Sequence, residues 1–334
     1  MTVNRQVVVR ELPQGALTHE NFELREAEMP SSPEDGLVIR TILMSIDAAN
    51  RAWMQGATYR DAVKTGDVMH TYAIGEVVES TSGRFNVGDI VASEAGWADY
   101  SAVSAKGVRK LPEMRPLSHL LSAFGIAGLT AHHGLITVGK PVEGETVVVS
   151  AAAGSVGMFV GQIAKAIGCR AVGIAGGAEK CAWVVDELGF DACIDYRDPQ
   201  WHRALKAACP DGIDVYFDNV GGQVLETVLF RMNEKGRVVC CGAVSQYDSG
   251  EPAGPKNLPG LIVVKRLRME GFIVFDFPDE TPNALENLQG WVASGKLKVV
   301  EDIVEGLEHA PAALIGLLAG DNRGKRMVRV APDP

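Results

Sequence analysis

The 334-residue sequence predicts an α/β protein, a doubly wound parallel-sheet domain preceded by a second, mostly β domain. Three observations carry that expectation. The chain is longer than one hydrophobic core commonly organises. Its first stretch, to about residue 120, reads as short strands broken by Gly, Pro, Asp and Ser. From about residue 122, strands and helices alternate in units of about thirty residues, the rhythm of a parallel sheet with helices on both faces.

In the first region the strands are "RQVVVREL", "DGLVIRTILMSID", "AIGEVVES", "VGDIVAS" and "WADYSAVSA". In the second, "TVVVSA" leads into the helical "SVGMFVGQIAKAIG", followed by "RAVGIAG", the helical "AEKCAWVVDELG" and "ACIDY". The helical "PQWHRALKAAC", "IDVYFDN", the helical "GGQVLETVLFRMN" and "GRVVCCGAVS" continue the series, and "RMEGFIV" supplies a sixth strand. Residues 245–260 are rich in Gly and Pro and read as a long loop beside the sheet. After the helix "TPNALENLQGWVASG", the tail holds "LKVVEDIV", the helical "PAALIGLLAG" and "KRMVRVA". It breaks the rhythm, so it is expected to return to the first domain. The boundaries are therefore 1–122 for the first domain, 123–297 for the dinucleotide-binding domain and 298–334 for the returning tail.

Composition narrows the partners. A hydrophobic content of 46% and a charged content of 22% are those of an ordinary globular chain. The net charge of -10 disfavours nucleic acid and anionic membrane. No secretory signal and no apolar run of membrane-spanning length is visible, which points to a cytoplasmic protein. All six cysteines lie between Cys169 and Cys241 without a C-x-x-C pair, and read as core thiols rather than disulfides.

The informative stretch is "VVVSAAAGSVGMFVGQIAK", residues 147–165. A buried strand that ends in A-x-G-x-x-G and enters a helix gathers backbone N–H groups and the positive helix end at one point, where a diphosphate fits. Ala152, Ala153, Gly154, Ser155, Val156 and Gly157 form that turn. Gly154 lets the main chain approach the diphosphate, Gly157 lets helix and strand pack, and Ala152 replaces the first glycine of the usual pattern. Small residues at such a turn can also be mere close packing; the βαβ context favours dinucleotide binding.

The next strand selects the dinucleotide. An NAD site wants a carboxylate at its end. Here "AVGIAG" ends in Gly176 and Gly177, Glu179 falls at a helix start, and Lys180 follows. Tyr196 and Arg197, after the third strand, could close the same pocket. These residues favour NADP(H) over NAD.

The segments "AAAGSVGMFVGQIAKAIGCRAVGIAGGAEK", "FDNVGG", "CGAVSQY", "RMEGF" and "GDNRGK" resemble the zinc-independent medium-chain dehydrogenase/reductases, in particular the prostaglandin reductase/leukotriene B4 dehydrogenase and alkenal double-bond reductase branch. The resemblance implies a GroES-like β domain with a Rossmann domain, an active site in the cleft between them, and a homodimer. It implies NADPH-dependent reduction of the carbon–carbon double bond of small-molecule α,β-unsaturated ketones and aldehydes. It also implies that Lys180 and Tyr196 hold the 2′-phosphate and that Asn219 contacts the coenzyme. Cys241, Gly242, Ala243, Val244, Ser245 and Tyr247 would run along the nicotinamide, and Phe272, Ile273 and Val274 would back its ring. Asn322 would reach in from the tail, and Thr130, in "GLTAHHGL", would lie near the nicotinamide.

Two places depart from the branch. Many members read D-P-Y-M-R where this chain reads "DAANR", so Ala49 stands for a pocket tyrosine. Val264 stands where many carry a tyrosine associated with the substrate carbonyl. Substrate preference is therefore not inherited from the resemblance.

Zinc-dependent relatives place Cys, His and Glu ligands in the first domain. This first domain has no cysteine, "IGEVVE" lacks the histidine of "GHE", and His70, His132 and His133 do not make a ligand set. No metal is expected.

Conjugate reduction then needs positioning and a hydrogen-bond donor for the carbonyl oxygen, where negative charge gathers. Tyr59, in "MQGATYRDA", is one candidate donor, and the coenzyme ribose 2′-hydroxyl is another. A quinone reductase of the same superfamily and a non-catalytic NADPH-binding protein are the alternative readings.

Overall fold

The computed structural model describes residues 3–248 and 254–334. The chain divides into two compact units. Unit 1 is Met1–Leu121, Glu301–Asn322 and Arg326–Pro334; unit 2 is Ser122–Val300 and Arg323–Lys325.

Unit 1 contains β1 (Asn4–Val9), β2 (Phe22–Ala27), β3 (Gly36–Ser45), α1 (Ala48–Trp53), β4 (His70–Ser80), β5 (Ile90–Gly96), β6 (Tyr100–Ser104) and β7 (Arg109–Lys110). The tail contributes β14 (Glu301–Glu305), α9 (Ala310–Ala319) and β15 (Lys325–Arg329). β1 and β2 form an antiparallel pair, and a seven-stranded sheet runs β14-β15-β3-β4-β5-β7 with β6 also on β3. Leu37, Ile39, Ala73, Val77, Val91 and Trp97 fill its core, with Leu314 of α9 among them. The sequence reading missed β2 and β7. Four of the six β2 residues are exposed, and β7 is only two residues long, so neither carries an alternating apolar signal.

Unit 2 contains α2 (Ile126–His132), continued by a π-helical stretch His133–Gly139, then β8 (Thr146–Ser150), α3 (Gly157–Ala166), β9 (Arg170–Ala175) and α4 (Ala178–Asp186). It goes on through β10 (Ala192–Asp195), α5 (Trp201–Ala208), β11 (Ile213–Asp218), α6 (Gly222–Leu229), β12 (Met232–Cys240), α7 (Leu258–Lys265), β13 (Arg268–Gly271) and α8 (Thr281–Ala293). The six strands are all parallel, in the order β10-β9-β8-β11-β12-β13. That order reverses direction between β8 and β11, which makes the ends of those strands the topological switch point where such sheets bind ligands. β8 is buried along its whole length, as a central parallel strand must be. One face of the sheet packs Val148, Val172, Ile174, Tyr216 and Val238 against Leu205, Val228 and Leu229.

Two sequence expectations need correction. "GGQVLETVLFRMN" does not stay helical. α6 stops at Leu229, and Met232, buried in the core, begins β12. The loop expected over 245–260 contains a 3₁₀ turn at Val244–Gln246 and the start of α7 at Leu258. Pro259 sits in the first turn of α7, where its missing N–H costs nothing. The part of that loop from 249 to 253 lies outside the described residues. Among the described residues no helix is long and apolar enough to cross a membrane.

Candidate functional site

β8 ends at the switch point and the chain turns at once into α3. The strained residue of the turn is Ala151, with φ 51°, not one of its glycines. Gly154 N–H donates to the Ala151 carbonyl at 2.9 Å and closes the turn. Gly157 is required by close approach, because a Cβ there would stand 2.3 Å from the Ala151 oxygen. Ala152 is fully buried, and its methyl fills space left by Gly173 of β9, where an added Cβ would lie 2.8 Å away. The alanine in the first-glycine position is thus accommodated by a glycine on the neighbouring strand.

The N–H groups of Ser155, Val156 and Gly157 donate to no acceptor among the described residues, as the first amides of a helix do. The Ser155 hydroxyl is buried and likewise has no partner among them. A buried hydroxyl and open amides at a positive helix end fit a diphosphate. Within unit 2, Gly324 N–H donates to the Ala153 carbonyl at 2.9 Å.

At the end of β9 no carboxylate faces the loop from that strand. Asp195, at the end of β10, accepts from the Gly177 N–H at 2.8 Å and the Arg197 N–H at 2.9 Å, which ties the two loops together. Tyr196 and Arg197 close over Gly176. A Cβ on that glycine would lie 3.0 Å from the Arg197 Nε and 3.2 Å from the Tyr196 hydroxyl. Glu179, at the start of α4, pairs with Arg323 at 3.5 Å. Lys180 stands in the first turn of α4. β9 itself ends in alanine and the two glycines that follow, with Tyr196 and Arg197 over the first of them and the Asp195 carboxylate committed to main-chain N–H groups.

Across the switch point, Cys241 N–H and Gly242 N–H both donate to the Asp218 carbonyl, and Val244 N–H donates to that of Asn219. Ser245 binds the Val220 carbonyl through its N–H and, at 2.6 Å, its hydroxyl. Residues 241–245 are therefore laced to the turn after β11, and the Tyr247 hydroxyl accepts from Ala243 N–H at 3.4 Å. Burial pushes the Cys241 thiol up to about 12, so it stays protonated and unreactive at neutral pH. Phe272 meets Phe217 edge-on at 6.3 Å, with Ile273 and Val274 half-buried after it. Gly134 of the π-helical stretch allows this packing, since a Cβ there would fall 2.5 Å from both rings. Thr130 is buried in α2.

His132 and His133, on the same helix, are engaged with aromatic neighbours. His132 lies against Trp291 and its Nε2 accepts from the Asn287 Nδ2 at 3.2 Å, and His133 stacks on Phe277 at 5.0 Å. Burial, with a smaller repulsion from His133, lowers His132 to about 4. Among the described residues no group of three or more His, Cys, Asp and Glu is placed to hold a metal ion.

Unit 1 carries the remaining candidates. Tyr59 is 54% exposed and stands edge-on to Trp53 at 6.4 Å, while the Arg60 guanidinium lies 4.5 Å over the same indole and 3.7 Å from Glu94. Partial burial raises the Tyr59 phenol above its ordinary pKa. Ala49 lies in α1 against the unit 1 core, and Asn322 is buried between α9 and β15. Val264, in unit 2, is 69% exposed on α7. The reading from sequence missed Trp53, Arg60 and the Arg323–Glu179 pair, all of which depend on contacts between residues of ordinary type.

The open amides at the switch point of a doubly wound sheet define a dinucleotide-binding protein of the Rossmann class. Residues 5–111 match a family model described as the N-terminal domain of oxidoreductases, and residues 155–290 match one described as zinc-binding dehydrogenase. The chain is 41% identical to the NADPH-dependent curcumin reductase of Escherichia coli over 338 residues, covering 99% of this chain and 98% of the relative. It is 42% identical to prostaglandin reductase 1 of Rattus norvegicus over 322 residues, covering 95% and 96%. Among solved structures it matches CurA from Vibrio vulnificus in complex with NADPH at a TM-score of 0.93 and 39% identity, covering 98% of this chain and all of that one. The chain belongs to the medium-chain dehydrogenase/reductase family, in its zinc-independent prostaglandin and alkenal reductase branch.

Proposed function

We propose that this protein is an NADPH-dependent reductase of the carbon–carbon double bond in α,β-unsaturated ketones and aldehydes. The observation that carries the reading is the pair of anion sites on unit 2. One is the Ser155–Gly157 amides with the buried Ser155 hydroxyl; the other is the Gly176 loop under Tyr196 and Arg197, followed four positions on by Lys180 in the first turn of α4. Their chemistry fits a diphosphate and an additional phosphate monoester respectively. The names of the curcumin and prostaglandin reductase relatives support the reaction class.

When bound, the coenzyme supplies the hydride that reaches the β-carbon. The chain's own residues then do three things. The amide cradle and the Gly176 loop hold the two phosphate-bearing ends. Phe272, Ile273, Val274 and residues 241–247 would flank the nicotinamide, with Thr130 and Asn322 as further contacts. Tyr59, a phenol and so protonated at neutral pH, would donate a hydrogen bond to the carbonyl oxygen as negative charge gathers there.

Lys180→Ala tests the coenzyme assignment. The KM for NADPH should rise about tenfold, and that for NADH should stay within about twofold. Equal rises would remove the 2′-phosphate role. A panel of enones, enals and quinones separates the proposed activity from a quinone reductase, and tight NADPH binding without turnover on any of them would favour a non-catalytic binder.

A homodimer is the proposed assembly. β13 closes the parallel sheet as an edge strand with three of four residues exposed, and Val263 and Val264 are 73% and 69% exposed on α7 just before it. Edge strands with exposed apolar neighbours favour pairing with a second copy. Sedimentation at the mass of a single chain would remove this part of the proposal.

A further inference from the structure

Ser150 and Asp218 end the two strands that flank the switch point, and both are polar residues buried at 0% and 3% exposure. Burying a hydroxyl and a carboxylate is costly unless their bonds are made. Here they are spent on one short turn. The Asp218 Oδ1 accepts from the Tyr216 hydroxyl at 2.8 Å, from Val220 N–H at 3.0 Å and from Gly221 N–H at 2.8 Å. The Ser150 hydroxyl reaches the same oxygen at 3.3 Å and accepts from Asn219 N–H at 2.9 Å. Asn219, half-buried, donates through Nδ2 to the Ser150 carbonyl at 2.8 Å. Its backbone and its amide nitrogen are therefore both fixed to β8, and its Oδ1 accepts nothing among the described residues.

The topology says which part of a dinucleotide this oxygen meets. In a doubly wound sheet each half holds one mononucleotide. β8, β9 and β10 carry the diphosphate turn and the 2′-phosphate pocket, which is the adenosine half. β11 is the first strand of the other half, so Asn219 stands on the nicotinamide riboside side. An amide oxygen is an acceptor only, and a phosphate at neutral pH offers acceptors only. The partner of Oδ1 must be a donor, and the donors on that half are the ribose hydroxyls and the carboxamide NH₂.

We propose that Ser150 and Asp218 are positioning residues that fix the Asn219 carboxamide so that its Oδ1 receives a hydrogen bond from the nicotinamide riboside half of the coenzyme. This rests on the coenzyme reading above. Burial raises the Asp218 pKa, and the bonds from Gly221, Val220, Tyr216 and Ser150 oppose that rise, in keeping with a carboxylate used to organise the turn.

The test is binding, measured by calorimetry with two probes, NADPH and adenosine 2′,5′-bisphosphate, which lacks the nicotinamide riboside. Asn219→Ala and Ser150→Ala should each weaken NADPH by about tenfold and leave the bisphosphate within about twofold. The double variant should match Asn219→Ala alone, because Ser150 acts through Asn219. Ser150→Ala removes only a hydroxyl, and its thermal unfolding reports the fold independently; Asp218→Asn is the second variant, expected to show the same split between probes. Equal weakening of both probes by Ser150→Ala, or additive effects in the double variant, would overturn the inference while leaving the coenzyme reading intact. Wild-type protein that binds neither probe would overturn both.

Discussion

The turn from Ala151 to Gly157 presents main-chain N–H groups, one hydroxyl and a helix end, whereas the Trp53–Arg60 segment presents an indole, a phenol and a guanidinium. The first surface is defined by backbone path. It tolerates an alanine in place of a glycine because Gly173 makes room for the methyl. The second is defined by side chains, one of them more than half exposed, and every replacement rewrites it. A ligand shared across a family can be held by the first kind of surface. A substrate that differs between members needs the second.

The sharpest way to break this contrast is Gly157→Val. The added carbons meet the Ala151 carbonyl oxygen at 2.3 Å and its carbon at 2.9 Å, and both are backbone, so the turn itself must open. The amide end of α3 moves with it. NADPH affinity should fall by at least about 100-fold, read by coenzyme fluorescence, with the far-ultraviolet spectrum retained. An unchanged affinity would mean that the backbone path is not what holds the diphosphate.

Tyr59→Phe probes the other surface and should act on a different constant. Loss of one donor to a developing oxyanion lowers kcat by about tenfold, while the dissociation constant of NADPH stays within about twofold. If kcat holds, the donor is elsewhere, with the coenzyme ribose hydroxyl the remaining candidate. If NADPH binding shifts as well, the two surfaces are not separable in the way the comparison claims.

The same contrast explains what could be read in advance. The strand–turn–helix signature was legible because it is local. A β-branched run, small residues and a helix follow one another within 147–165, and the sheet rhythm repeats it. The missing carboxylate after β9 was legible for the same reason. The Asp218–Ser150–Asn219 lattice was not, since it joins residues about seventy apart, the span |i−j| of 69 between Ser150 and Asn219. An aspartate ending the apolar run "IDVYF" was the only trace of it. The stacking of Arg60 on Trp53 was equally hidden, although the two are close in sequence, because nothing in a loop's composition fixes which side chains face each other. α7 is hidden for a different reason: Pro259 belongs to the Gly- and Pro-rich stretch 245–260 that reads as a loop, whereas its place in the first turn makes it a helix starter.

The smallest expected effect isolates the backbone surface from the coenzyme altogether. Ala151 holds φ at 51°, a left-handed conformation that costs an alanine about 1 kcal/mol or more and a glycine almost nothing. Ala151→Gly relieves that strain, and the larger entropy of glycine in the unfolded chain offsets about half of the gain. A net stabilisation of about 0.5 kcal/mol should appear as a small rise in Tm, with NADPH affinity unchanged because the turn keeps its path. If Tm falls instead, the methyl is packing rather than strained. If affinity rises, the turn of the present chain is not yet shaped for its ligand, and the strain at Ala151 belongs to binding rather than to folding.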